Sequence, residues 1–162
     1  MRKLWSSFLA FLALVSGCGQ SDSRQQDTAV AVRKDDKILA AAVERARASI
    51  TNFTEALAHP KPTQSGFSVK VPIVDDKAIH YMWLQGTTFS GSEFRGTLGA
   101  DAAELKQHQP GKSIAVPVSQ IFDWMYVESN KLVGGFTLRA IRDQLRGEQR
   151  SAFEKSLWFE FD

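Results

Sequence analysis

The chain predicts an α+β fold: an amphipathic helix, a meandering antiparallel sheet of five to six strands, and two short C-terminal helices. Three observations carry this. Leu39, Val43, Ala46, Ile50, Phe53 and Leu57 recur at alternating spacings of four and three, which is one face of a helix. Between Phe67 and Gly135, short apolar-alternating runs rich in aromatic and β-branched residues are separated by turn residues. Leu138, Ile141 and Leu145, then Phe153 and Leu157, return to helical spacing. With 162 residues, there is room for one domain and an appendage.

The elements follow in order. Asp36 is placed to cap the first helix, and His59-Pro60 with Pro62 ends it. Phe67, Val69, Val71 and Ile73 alternate with Ser68, Lys70, Pro72 and Val74 in a first strand, and Pro72 predicts a sheet edge because it lacks an N–H. Asp75-Asp76-Lys77 turns the chain into a second strand, Ile79 to Phe89. Ser90-Gly91-Ser92 turns it into a third, Glu93 to Leu98. Gly99 to Gly111 reads as loop with a helical turn at Ala102 to Leu105. Ser113 to Val118, Trp124 to Glu128 and Leu132 to Gly135 complete the sheet. Thr137 is placed to cap the next helix, and a last helix runs near Glu148 to Leu157.

The N-terminus reads as an address. Arg2 and Lys3 precede an apolar run, Leu4 to Leu14. Eleven helical residues reach roughly 16 Å, short of a bilayer core, so the run is a signal-peptide segment rather than a membrane span. Val15-Ser16-Gly17-Cys18 resembles the lipobox of bacterial lipoproteins, with the chain's single cysteine in the lipidated place. The resemblance implies a signal peptide at 1–17 and a membrane anchor through lipid on Cys18. Gly19, rather than aspartate, implies the outer membrane, facing the periplasm. Residues 18–36, polar and without an apolar face, read as the lipidated cysteine and a flexible tether, and 37–162 as the domain.

Charge excludes one class of partner. Basic residues number 20 and acidic residues 18, and removing Arg2 and Lys3 leaves 18 against 18. A neutral mature chain lacks the clustered basic surface that nucleic acid requires. There is no phosphate-binding glycine loop, no Gly-x-Ser-x-Gly and no His-Glu-x-x-His. No cysteine remains for a thiol nucleophile or zinc, and His59, His80 and His108 are scattered, so neither metal nor cofactor is expected.

The candidate binding residues are Asp123, Trp124, Tyr126, Trp83, Gly135 and Arg139. Asp123 at a strand mouth, with Trp124 and Tyr126 on one face, fits a ligand or peptide groove, while Gly134 and Gly135 permit close approach or positive φ. The same residues fit a buried Trp, a turn-capping Asp and glycines that relieve crowding. Arg139 and Asp143 are i,i+4 neighbours suited to a surface pair.

Several motifs occur in order: His80-Tyr81-Met82-Trp83-Leu84, Phe94-Arg95-Gly96-Thr97-Leu98, Ile121-Phe122-Asp123-Trp124-Met125-Tyr126 and Gly134-Gly135-Phe136-Thr137-Leu138-Arg139. Together they resemble the YegJ-like family of bacterial proteins over about residues 38 to 157. Phe122 stands where that family commonly has serine. The resemblance implies one α+β domain and assigns no reaction. The function expected is a non-enzymatic, lipid-anchored binding domain whose partner is an envelope protein or small ligand. The competing expectations are an envelope hydrolase using Asp123, His80 and Arg139, and a toxin-neutralising or structural lipoprotein.

Overall fold

The computed structural model describes residues 37–162. The signal segment, Cys18, the tether and the Asp36 cap lie outside the described residues. The elements are α1 (Lys37–Ala48), α2 (Ile50–Ala58), β1 (Gln64–Asp75), β2 (Ala78–Phe89), β3 (Glu93–Leu98), β4 (Ser113–Pro117), β5 (Asp123–Glu128), β6 (Lys131–Gly134), α3 (Phe136–Gln144) and α4 (Gly147–Lys155). A 3-10 turn, Ala100–Glu104, lies in the β3–β4 loop. The strands form one antiparallel sheet in the order β4-β3-β2-β1-β5-β6. The predicted α+β architecture is the one observed.

The single N-terminal helix of the sequence reading is two. Ser49 leaves helical geometry at φ −108° and ψ 14°. Its hydroxyl donates to the Arg45 carbonyl at 2.7 Å and its backbone N–H donates to the same oxygen at 3.2 Å. A serine side chain that competes for helix carbonyls gives a local reason for the break. The apolar stripe continues across it: Val43, Ala46 and Phe53 are buried, and Ile50 and Leu57 pack against the same core.

β1 is central, not an edge, which corrects the expectation from Pro72. It pairs with β2 from Ser68↔Gln85 to Asp75↔Ala78, and with β5 only as far as Lys70↔Asp123. The Lys70 carbonyl accepts from the Phe122 N–H on the β5 side. Alternation puts the Pro72 nitrogen on that same side, past the last β5 pair. The proline thus sits where no ladder donor is required. The outer halves of β1 and β2 run on as a two-stranded arm.

The two faces of the sheet are covered differently. Val69, Val71, Ile73, Leu84, Phe94, Trp124 and Tyr126 line the face under α1 and α2. Phe53 is its centre, fully buried with ring centroids 5.4 Å from Trp124, 5.7 Å from Phe94 and 6.0 Å from Phe67. On the opposite face Met125 and Val127 pack with Leu138 of α3, Phe153 of α4 and Phe159 of the tail. That second cover reaches Trp83 and stops.

Phe53→Ala is expected to destabilise the fold by about 3–5 kcal/mol in urea titrations, whereas Glu55→Ala on the exposed side of α2 stays within about 0.5 kcal/mol. A Phe53→Ala cost near that of Glu55→Ala would contradict the packing of α2 on the sheet.

Candidate functional site

The junction of sheet and α3 is built around one carboxylate. β6 ends at Gly134, and Gly135 leads into α3, at φ +74° and +60°. A side-chain carbon at Gly134 would collide with the Trp124 carbonyl and ring, and one at Gly135 with Leu132. These glycines turn the chain; they do not open a site. Thr137 is the second residue of α3 rather than its cap. The cap comes from the neighbouring strand. Asp123 Oδ1 accepts the N–H groups of Trp124 at 2.8 Å and Phe136 at 3.2 Å. Oδ2 accepts the Thr137 N–H and hydroxyl, both at 2.7 Å.

Asp123 is fully buried. Burial pushes its carboxyl upward, against the Thr137 and Trp124 hydrogen bonds and the charge of Lys70. Four donors fill the acceptor positions of both oxygens, and the negative end faces a helix N-terminus. The carboxylate's bonding is internal, with none left over for a substrate.

The remaining sequence candidates are dispersed. Trp124 and Tyr126 lie on the helix-covered face, while Asp123, one residue away in the strand, lies on the other. Trp124 is buried and its indole N–H donates to the Ala46 carbonyl at 2.8 Å. Tyr126 stacks on Phe67 at 5.0 Å. The expected Trp/Tyr face is therefore core, because α1 and α2 cover it. Arg139 donates to the carbonyls of Gly134 at 2.9 Å and Leu132 at 2.6 Å, and pairs with Asp162 at 3.2 Å. The expected Arg139–Asp143 pair is replaced by this clamp. His80 sits opposite Ile73 on the arm, where its charged neighbour is Asp75. Asp123, His80 and Arg139 thus each have separate surroundings. Among the described residues no three His, Cys, Asp or Glu side chains gather as a metal site would require.

Asp75 is a second structural carboxylate. It accepts the backbone N–H of Lys106 at 2.8 Å and of Gln107 at 2.7 Å, fastening the β3–β4 loop to the arm. The Lys106 bond, then the Gln107 bond and the charges of His108 and His80, hold its carboxyl below its ordinary value despite burial.

What stays open is the outer half of the second face. Register places Lys70 beside Trp83, Pro72 beside Tyr81 and Val74 beside Ile79, all on the side of Asp123. Val74, Ile79 and Tyr81 are 62%, 57% and 45% exposed. The Tyr81 and Phe122 rings lie 4.0 Å apart between centroids. Lys70 marks the border between covered and open halves. Its ammonium is 5.6 Å from the Trp83 ring and 5.9 Å from the Phe122 ring. Desolvation lowers its pKa, with Asp123 and Asp101 acting against that through space. Among the described residues it makes no ion pair within 4 Å.

Trp83 and Tyr81, both within the His80–Leu84 motif of the sequence, touch this patch. The missed residues, Lys70, Val74, Ile79 and Phe122, carried one signal. Ile73 and Val74 are adjacent apolar residues in a strand, so one of them must face away from the core. A separate concavity of about 390 Å³ lies between α1 and α3, lined by Ile38, Ala41, Arg45, Phe136 and Ala140 among others.

Comparison with known proteins places this architecture in context. Residues 36–161 match the family model described as an uncharacterized protein conserved in bacteria, DUF2314. The chain is 34% identical over 97 residues to a "Putative ankyrin repeat protein" of Neisseria meningitidis serogroup B, an alignment covering 57% of this chain. It spans only 38% of that relative's length. It is 28% identical over 130 residues to the Escherichia coli protein described as "Uncharacterized protein YegJ", covering 80% of this chain and 84% of the relative. No solved structure matches.

Asp123→Ala leaves three backbone donors, two of them buried, without an acceptor and is expected to cost about 3 kcal/mol or more in chemical denaturation. Thr137→Val removes only the hydroxyl donor and is expected to cost about 1–2 kcal/mol. Equal, small losses would contradict the capping role. For Asp75, the folded-state pKa lies below the ordinary 3.8, so its contribution is complete above 3.8 and is lost as pH falls through the lower folded value. After correction for intrinsic rates, amide exchange at Lys106 and Gln107 should therefore accelerate as pH falls below 3.8, and Asp75→Asn should remove that dependence. An unchanged pH dependence in the variant would contradict the assignment.

Proposed function

The chain belongs to the DUF2314 family of bacterial proteins, and from that premise we propose that it is a non-enzymatic binding module. Its domain, residues 37–162, docks a partner protein of the cell envelope on the open half of the sheet. One observation carries the reading: beyond the border at Lys70 and Trp83, the cross-strand rows Pro72–Tyr81 and Val74–Ile79 form an apolar, aromatic surface with no covering element among the described residues. Contiguous exposed apolar surface beside ordered aromatic rings is the chemistry of protein recognition. The surface is broad and pleated, which suits a macromolecular segment better than a small ligand seeking concave enclosure. The internal saturation of Asp123 favours binding over acid–base chemistry.

The resemblance of Val15–Cys18 to a lipobox supports delivery of this domain on a lipid anchor. In this reading residues 1–17 are removed, Cys18 is acylated, and 18–36 tether the domain to the outer membrane, facing the periplasm. Several acyl chains hold a protein firmly, at about 0.8 kcal/mol per buried CH₂.

A photo-crosslinking residue at position 79 or 81 of the full-length chain in intact cells tests the docking face. Both positions are expected to capture one common protein, with no capture from position 55 on α2. Capture from 55 but not from 79 or 81 would overturn the face. Cys18→Ser is expected to abolish incorporation of labelled palmitate and to release the chain from the membrane fraction. Unaltered palmitate labelling would overturn the anchor.

A further inference from the structure

Resting on that docking face, we infer that the segment it accepts is extended and carries a carboxylate two residues from an apolar side chain, with Lys70 as the group that reads the acid. The surroundings of Lys70 point there. Its ammonium lies against Trp83 and Phe122, at the border where the cover of α3, α4 and the tail ends. Cation–π contact offsets part of the hydration that the amine has given up, but leaves its hydrogen-bond donors unused.

The nearest acid on the neighbouring strand does not complete it. Asp123 sits opposite Lys70 in register, yet its oxygens are turned to Trp124, Phe136 and Thr137. Among the described residues Lys70 makes no ion pair within 4 Å, and the acids that act on it, Asp123 and Asp101, do so only through space. Desolvation lowers the Lys70 pKa, and an arriving carboxylate would reverse that.

The flanking chemistry sets what surrounds the acid. Along the arm the rows beyond Lys70 are Pro72–Tyr81 and Val74–Ile79, with Phe122 on Tyr81. An extended segment presents alternate side chains to one surface, so an acid over Lys70 puts its i+2 neighbour over Tyr81 and Phe122. The opposite direction, toward β3 and β4, is polar: Arg95 is already paired with Glu93 at 3.1 Å, and Thr97 and Ser113 are exposed. An apolar neighbour two residues from the acid therefore fits only toward the arm.

The test uses a matched pair of blocked peptides, acetyl-Glu-Ser-Phe-amide and acetyl-Gln-Ser-Phe-amide, with the full-length chain at low salt. Amide and side-chain chemical shifts report where each binds. The acidic peptide is expected to shift Lys70, Trp83, Tyr81 and Phe122 and to bind about tenfold more tightly than the amide peptide. Lys70→Met should bring the two peptides to equal affinity, and Lys70→Arg should retain most of the preference. Tyr81→Ser should weaken both. Equal binding of both peptides to the unmutated face would overturn the acid-reading role while leaving the docking surface in place. Failure of both peptides to shift these residues would overturn the inference, and the crosslinks at 79 and 81 then decide the docking face separately. Preference for the acidic peptide with shifts confined to the α1–α3 concavity would also overturn it.

Discussion

The buried carboxylate of Asp123 fixes how the two halves of the chain meet. A helix that begins beside a strand leaves N–H groups needing acceptors, and a charge removed from water needs donors. Here each requirement meets the other. The Phe136 and Thr137 groups at the start of α3 converge on the side chain of β5. Once α3 is anchored, Arg139 is placed to hold the Leu132 and Gly134 carbonyls and the terminal Asp162. Arg142 lies 4.6 Å over Phe161 and bonds Glu154 of α4 at 2.6 Å. The tail is thereby drawn across half of the sheet's second face, with Phe159 buried. The open half is what this cover leaves beyond Lys70.

Burial is not evenly shared between the two faces, and this divides scaffold from surface. Phe53, Trp124, Phe94 and Tyr126 lock the first face under α1 and α2. Aromatic rings there bury large areas and leave no edge free for a ligand. On the second face the same residue types are spread along the arm, and the Tyr81 ring lies on Phe122 and stays exposed. Asp75 stiffens this arm from behind by holding the β3–β4 loop. A rigid support for an exposed aromatic row favours recognition, because little side-chain freedom remains to be lost on binding.

Much of this was legible from local pattern. Period-two alternation located the strands, and Glu93–Leu98 coincides with its expected limits because turn residues bracket it closely. The stripe from Leu39 to Leu57 identified the right face of the N-terminal helices, but Ser49's competition for carbonyls divided them. Thr137 marked the start of α3 to within two residues; its capping partner, fourteen residues earlier, is a tertiary fact. Parity alone separates Asp123 from Trp124 and Tyr126, so the grouping of all three in one groove was contradicted by strand geometry already present in the sequence. Which of two apolar faces is covered depends on where α3, α4 and the tail return, and no local pattern encodes that.

The division between scaffold rings and surface rings is most directly measured by hydroxyl-radical footprinting of the full-length chain, once purified and once in its native envelope. In the purified protein, Tyr81 and Phe122 should oxidise readily, with Trp124 and Tyr126 protected. In the envelope, Tyr81 and Phe122 should lose reactivity while Trp124 and Tyr126 stay protected. Reactive Trp124 or Tyr126 in the purified protein, or Tyr81 and Phe122 equally reactive in both settings, would contradict the account.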